Sequence, residues 1–97
     1  MEITQFQQLI KQLYDKKDRT RGVDKTFVWF VEEVGELARA LHRNHRHELE
    51  EEFADCFAWL ATLANLTDID LETAIKKYQH GCNKCHHTPC KCVEEGI

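Results

Sequence analysis

The fold is decided by residues 27–64, FVWFVEEVGELARALHRNHRHELEEEFADCFAWLATLA. Apolar side chains recur every three or four positions over residues 27–41, and the same spacing resumes over residues 49–64. This is the period of an amphipathic helix that turns one stripe toward a core. Residues 43–47 interrupt the repeat, and so short a connection favours two antiparallel helices. The stretch therefore predicts a helical hairpin.

A first helix is predicted over residues 4–17, where apolar positions recur at helical spacing after a capping box of Thr4 and Gln7. Residues 15–25 are basic around Gly22 and predict a solvated connection to the second helix. Asp24 is the expected cap of that second helix.

A fourth helix is expected to begin after Asp70 and to end at Gly81. Its predicted inner face carries Leu71, Ala74, Ile75 and Tyr78. Since no segment alternates with the two-residue period of a strand, the expected fold is an all-α antiparallel four-helix bundle. The predicted units are a helical domain over residues 1–81 and a cysteine-rich tail over residues 82–97.

Length and composition restrict the class of protein. The chain has 97 residues, of which 42% are hydrophobic and 31% charged, which fits one small folded domain and excludes a disordered chain. The formal net charge of -4 gives no general basic field, so direct nucleic-acid binding is not expected. The sequence shows neither a membrane-length apolar run nor a signal-peptide pattern, so we expect no membrane association and a cytoplasmic location.

Acidic residues cluster beside the apolar stripes of the predicted hairpin. Facing positions of an antiparallel helix pair share a constant sum of residue numbers, and three pairs share one sum whose midpoint is Asn44: Glu33 with Asp55, Glu36 with Glu52, and Trp29 with Trp59. Four carboxylates between adjacent helices would repel one another unless a cation neutralises them. An all-oxygen set suits Mg²⁺. The alternative is that these acids are solvated surface residues, which is the interpretation we give to Glu50 and Glu51.

Residues 32–36, EEVGE, followed by residues 52–55, EFAD, resemble the EExxE and ExxD motifs of the MazG-like all-alpha nucleoside triphosphate pyrophosphohydrolases. The stretch AWLATLANLTDIDLETAIKKY is similar to the usual continuation of that family, so the resemblance covers about residues 27–78. It implies a helical, usually dimeric enzyme that splits a nucleoside triphosphate into monophosphate and pyrophosphate with Mg²⁺ or Mn²⁺, as in nucleotide-pool housecleaning. The residues that match as metal ligands are Glu33, Glu36, Glu52 and Asp55, with Glu32 and Glu33 as the catalytic acids.

Other side chains are candidates for contact with the substrate. Trp29 and Trp59 would stack on a nucleobase, although core or dimer packing is the alternative. The basic candidates for the phosphates are Lys16, Lys17, Arg19, Arg21 and Lys76, although a charge run is usually only solvated. A homodimer or higher homo-oligomer is expected because about 80 residues make a marginal core. The rival functions are a non-enzymatic interaction module that contains zinc and a nucleotide sensor.

The tail carries four cysteines in eleven residues, Cys82, Cys85, Cys90 and Cys92. Such a compact thiolate set favours a structural Zn²⁺ in a zinc-knuckle-like tail, with His86 or His87 as possible replacements for one thiolate. Disulfides and redox-active thiols are the alternatives. The fifth cysteine, Cys56, is expected to point into the core.

Overall fold

The computed structural model of the chain describes residues 1–94. Four α-helices follow one another, and within the described residues no strand is formed: α1 (Ile3–Arg21), α2 (Val23–Arg43), α3 (Arg46–Leu66) and α4 (Leu71–Ala74). A short 3-10 helix, Ile75–Tyr78, continues α4. The predicted all-α helical bundle is confirmed. None of the helices in residues 1–94 is both long and apolar enough to span a membrane.

The α2–α3 hairpin is the main packing unit, and α1 packs chiefly against α3. The hairpin turn consists of Asn44 and His45, and Asn44 adopts the left-handed conformation with φ of 56°. The Asn44 N–H donates to the carbonyl of Ala40 at 2.8 Å, which closes the end of α2. Asparagine tolerates this backbone region better than most residues. The turn therefore lies at the midpoint that the paired residue numbers predict.

The first helix is longer than predicted. α1 runs to Arg21, so the solvated connection expected over residues 15–25 is wrong. Gly22 alone joins α1 to α2, and it is both the last cap of α1 and the first cap of α2, a position expected for Asp24. The basic side chains lengthen a helix instead of breaking it, because Lys and Arg are good helix formers.

The start of α1 also differs from the prediction. The capping box is formed by Glu2 and Gln5, and the Glu2 N–H donates to the Gln5 side chain at 2.7 Å. Gln7 is instead buried, and its amide donates to Asn65 Oδ1 at 3.1 Å and to the Ile69 carbonyl at 2.7 Å. This polar contact ties α1 to the end of α3.

The fourth helix is shorter than predicted. Asp70 is its N-cap residue as expected, but the α-helix ends at Ala74 and the 3-10 helix ends at Tyr78, before Gly81. Ala74, Ile75 and Tyr78 are exposed, so the predicted inner face is wrong for these positions. This segment contacts mainly α1 and leaves most of its apolar surface uncovered.

The buried core is small. Its apolar members are Ile10, Ala40, Leu49, Ala61 and Ala64, most of them short side chains that allow close helix approach. Large side chains of the apolar repeat that predicts a core-facing stripe are exposed instead, among them Phe27, Val31, Val34, Phe53 and Leu60, so the predicted core is wrong at these positions of a single chain. Cys56 is half-buried, not enclosed in the core. The bundle therefore positions the α2–α3 seam while leaving an apolar surface open.

Candidate functional site

Three carboxylates meet at the α2–α3 seam, and we call them the acid cluster. Glu33 projects from α2, Glu52 and Asp55 project from α3, and one oxygen of each lies within 4.8 Å of the others. Glu33 and Glu52 are half-buried, whereas Asp55 is exposed. Oxygens this close, on the open side of a helix hairpin, form a set that a hard divalent cation can bridge.

Burial and mutual repulsion raise the pKa values of two carboxyl groups in the acid cluster. Burial raises the pKa of Glu33 above its ordinary value, and the carboxylates of Asp55, Glu52 and Glu36 raise it further. Burial likewise raises the pKa of Glu52, with Asp55 and Glu36 as the main charged contributors. The Oε2 atom of Glu52 is buried without a hydrogen-bond partner among the described residues. An unpaired buried carboxylate oxygen is costly, so this atom is available to a cation or to a hydrogen-bond donor.

Glu36 lies one helical turn beyond Glu33 but is not part of the acid cluster. Its carboxylate is exposed and forms an ion pair with Arg39 on the same helix. Glu32 is exposed on α2 as well. The structure thus brings together three of the four acids expected to bind the metal, and it leaves Glu36 and Glu32 exposed outside the acid cluster.

Trp29 and Trp59 form the next layer along the seam. Their ring centroids lie 5.7 Å apart with the planes at 87°, an edge-to-face contact of the kind aromatic pairs prefer. The guanidinium of Arg21 lies 4.9 Å from both ring centroids, and the ammonium of Lys25 lies 5.2 Å from that of Trp29. Cationic side chains therefore cover the tryptophan pair at the junction of α1 and α2.

Arg21 is held by a buried network that the sequence interpretation missed. Its Nε donates to Thr26 Oγ1 at 2.9 Å, and its guanidinium forms an ion pair with the buried carboxylate of Asp18. Asp18 also accepts a hydrogen bond from Thr62 Oγ1 at 3.0 Å. Helical spacing could have indicated that Asp18 is buried, because it follows the buried Ile10 by about two turns on the same face of α1. The prediction of a connection over residues 15–25 left Asp18 outside the first helix, so its burial was not predicted.

Two open pockets adjoin the tryptophan layer. A basic pocket of about 640 Å³ is lined by Lys16, Lys17, Thr20, Arg21, Lys25 and Trp29. A second pocket of about 360 Å³ extends beside Asp55 and Trp59, and Lys17 and Arg21 line it too. The shared residues connect the basic pocket with the acid cluster. This arrangement suits a ligand whose anionic groups contact the basic pocket and also bind a metal ion at the acid cluster.

The remaining predicted phosphate contacts are less favourably placed. Arg19 points to the surface, where its Nε pairs with Asp15 at 3.0 Å. Lys76 lies on the 3-10 helix and lines neither of these two pockets.

Comparison with known proteins gives a single clear assignment. A search of curated proteins finds no match to the chain. The family model of the MazG nucleotide pyrophosphohydrolase domain matches residues 21–87, which include α2, α3 and all three acid-cluster residues. The match spans more than half of the 97 residues. The resemblance to this family is thereby confirmed, and the chain belongs to the MazG nucleotide pyrophosphohydrolase domain family.

Proposed function

We propose that this protein hydrolyses a nucleoside triphosphate to the monophosphate and pyrophosphate, with Mg²⁺ or Mn²⁺, as a housecleaning enzyme of the nucleotide pool. Family membership supports nucleotide pyrophosphohydrolase activity in general. The observation that carries the finer proposal is the acid cluster, in which Glu33, Glu52 and Asp55 converge within 4.8 Å.

The residues present fit a hard divalent cation. The acid cluster offers only oxygen ligands, and the unpartnered Oε2 of Glu52 is available to a cation. Glu36 is the proposed fourth ligand. It would exchange its ion pair with Arg39, whose side chain is 57% exposed, for the cation. Exposed ion pairs contribute little free energy, so this exchange costs little.

The phosphates would lie between the acid cluster and the basic pocket. When bound, the cation supplies charge neutralisation at the phosphate oxygens and lowers the pKa of a bound water. Lys16, Lys17 and Arg21 would bind the outer phosphates and stabilise the charge that develops on the pyrophosphate leaving group. We assign weaker, surface roles in phosphate attraction to Arg19 and Lys76. The chain's own side chains would thus hold the triphosphate between the basic pocket and the acid cluster.

The water that attacks the α-phosphate needs an acceptor for its proton. Glu33 has a raised pKa and lies in the acid cluster, and Glu32 is its exposed neighbour on α2. We propose that Glu32 orients the water and that Glu33 helps to accept its proton, because both carboxylates lie on the α2 side of the acid cluster. Proton transfer of this kind contributes about 10²–10⁴-fold in rate.

The tryptophan layer would hold the nucleobase. Trp29 is 37% exposed and lines the basic pocket, so a base would stack on it by displacing the Lys25 ammonium from its ring. Trp59 supports Trp29 by its edge-to-face contact and lines the pocket beside Asp55. This assigns base contact to the tryptophan layer and metal contact to the acid cluster.

We propose that the protein acts as a homodimer in which two copies cover each other's hairpin. Phe27, Val31 and Val34 recur along one stripe of α2 and are exposed, as are Phe53 and Leu60 on α3. Contiguous exposed apolar side chains of this size mark an interaction surface. A second copy presents the same apolar stripe, and a two-fold contact is self-complementary.

A panel of nucleoside triphosphates, assayed separately for pyrophosphate and for inorganic phosphate, tests the proposal. We expect pyrophosphate and monophosphate in equal amounts for at least one nucleotide, and only with Mg²⁺ or Mn²⁺ present. Calorimetric binding of every nucleotide without any turnover would contradict hydrolysis and indicate a sensor. Absence of both binding and turnover would indicate an interaction module.

A further inference from the structure

Four cysteine side chains of the tail converge on one point that the proposed hydrolysis does not use. The Sγ atoms of Cys82, Cys85, Cys90 and Cys92 lie within 4.8 Å of one another. The Cys82–Cys92 and Cys85–Cys90 sulfur pairs are each 3.9 Å apart. These four residues, which we call the thiol cluster, come from both ends of a loop in the described part of the tail.

The distances fit a tetrahedral metal site. Zn–S bonds of about 2.3 Å place the sulfurs of a tetrahedron about 3.8 Å apart. The observed 3.9 Å agrees with that edge. A disulfide would need about 2.05 Å between the sulfurs, and all four cysteines are free. The geometry thus favours a four-sulfur metal site over cross-linking.

Backbone N–H groups orient the sulfurs. The Lys84 N–H donates to Cys82 Sγ at 3.4 Å, and the Lys91 N–H donates to Cys85 Sγ at the same distance. The Cys92 N–H donates to Cys90 Sγ at 3.3 Å. Donors to the ligand atoms fix their direction and offset the negative charge of thiolates. Three of the four sulfurs therefore already have the outer contacts that a metal site requires.

Backbone hydrogen bonds close the loop that begins at Cys82, the first cysteine of the thiol cluster. The Cys82 N–H donates to the His87 carbonyl at 3.1 Å, and the His86 N–H donates to the Cys82 carbonyl at 2.7 Å. Gly81 has φ of 109°, and a Cβ there would lie 2.9 Å from Thr88 Oγ1 and 3.0 Å from the His87 carbonyl oxygen. Only glycine is accommodated at this close approach. Neither His86 nor His87 belongs to the thiol cluster, whose ligand set is four cysteines.

Burial alone does not explain the order of this loop. Residues 83–94 are exposed apart from Cys85, and Val93, its one large aliphatic side chain, is 89% exposed. A segment that buries so little apolar surface needs a staple such as a metal ion.

We propose that the thiol cluster binds one zinc ion per chain through Cys82, Cys85, Cys90 and Cys92, as a structural site separate from the acid cluster. Four protein ligands close the coordination of zinc, so the site has no open position for a substrate. The hard carboxylate oxygens of the acid cluster and the soft sulfurs of the tail select different metals. Residues 82–97 would then form a zinc-stapled unit appended to the helical domain of residues 1–81, although residues 95–97 lie outside the described part of the chain.

Elemental analysis of the full chain, purified under reducing conditions without a chelator, tests the proposal. We expect one zinc per chain in the unaltered protein and in Cys56→Ser, because Cys56 lies on α3 and is not part of the thiol cluster. Cys85→Ser should lose the zinc and keep its helical circular dichroism, because Cys85 lies outside the three long helices α1 to α3. His87→Ala should retain it.

Cobalt titration of the metal-free chain gives an independent measurement. Four-sulfur tetrahedral coordination predicts strong visible ligand-field absorption and sulfur-to-cobalt charge transfer, which zinc then displaces. Zinc retained by Cys85→Ser, zinc lost from His87→Ala, or two disulfides in place of a bound metal would each overturn the proposed ligand set. Loss of zinc from Cys56→Ser together with intact helices would also contradict it.

Discussion

At the scale of single residues, repulsion within the acid cluster lowers the stability of the metal-free protein, and the proposed cation would offset it. Glu33 and Glu52 have raised pKa values because of burial first and neighbouring carboxylates second. In the metal-free protein, the native state therefore binds protons at pH values where the unfolded chain, with ordinary values near 4.5, has released them. Stability is accordingly lost as the pH rises from 4.5 through the raised pKa values. Repulsion within the cluster is greatest once the pH exceeds these raised pKa values.

Replacing Glu52 by glutamine should relieve this repulsion. We expect Glu52→Gln to melt at a higher temperature than the unaltered protein in EDTA at neutral pH, with the difference shrinking as the pH falls toward 4.5. Mg²⁺ should raise the melting temperature of the unaltered protein and have less effect on the variant. Differential scanning fluorimetry over a pH series measures both.

The matched control is Glu50→Gln, which removes an exposed acid of α3 outside the acid cluster. It should follow the unaltered protein at every pH and keep the Mg²⁺ response. Identical metal-free melting curves for Glu52→Gln and the unaltered protein across the pH series would contradict the account of the cluster.

Helical spacing predicted which acids meet, but it did not predict their detailed partners. The period of a helix fixes the direction of each Cβ, so Glu33, Glu52 and Asp55 could be assigned to one seam from the sequence. It leaves the rotamers of long side chains open. Glu36 therefore turned to Arg39, and Arg21 turned inward to Asp18, in two ion pairs between residues three apart on one helix, which the apolar repeat alone does not select.

At the scale of secondary structure, Gly22 sets the angle between α1 and α2. It has φ of 86° and ψ of 169°, a backbone region open essentially to glycine alone. A Cβ at Gly22 would meet no atom within 4 Å, so any cost of substitution comes from the backbone conformation and not from a clash. One residue thus carries the sharp change of direction that places Arg21 over the tryptophan pair.

Gly22→Ala should lower the free energy of unfolding by about 1–3 kcal/mol, the cost of a strained backbone conformation. Gly35→Ala is the matched control, because Gly35 lies inside α2 and a Cβ there also meets no atom within 4 Å. Alanine is the better helix former by about 1 kcal/mol, so this variant should be more stable. Urea denaturation at one fixed protein concentration measures both changes, and equal effects of the two substitutions would contradict the role of Gly22.

The sequence predicted the helices with strong amphipathic periods and misplaced the ends of those without one. The hairpin of α2 and α3 follows from its apolar repeat, whereas the polar second half of α1 offers no such repeat. Its helical state rests on propensity and on the buried Asp18–Thr62 hydrogen bond, a contact between distant residues. α4 packs only weakly against α1, and the local sequence does not indicate how far such a helix extends.

At the scale of the whole molecule, a single chain is too open for its length. Its radius of gyration is 15.9 Å, whereas a compact chain of this size is expected at about 12.5 Å. The exposed apolar stripe of the hairpin adds to this, since each large apolar side chain that becomes buried contributes about 1.5–3 kcal/mol. Both features favour association of two copies.

Phe53→Glu should dissociate the proposed dimer, because it places a charge in the middle of the exposed apolar stripe, where Phe53 is 54% exposed. Light scattering coupled to size exclusion should give a dimer for the unaltered protein and a monomer for this variant. Val93→Glu, which adds the same charge to the tail, should remain dimeric. A monomeric unaltered protein at micromolar concentration would contradict the proposed assembly.

The central claim is that the acid cluster holds the cation for pyrophosphate release, and the turnover of Glu33→Gln tests it most directly. The measurement is Mg²⁺-dependent pyrophosphate release by the unaltered protein, Glu33→Gln and the control Glu50→Gln, at equal helicity and equal oligomeric state. We predict that Glu50→Gln matches the unaltered protein, while Glu33→Gln loses at least about 10²-fold in rate because it removes both a metal ligand and a proton acceptor. Glu33→Gln that releases pyrophosphate at nearly the unaltered rate would contradict the account.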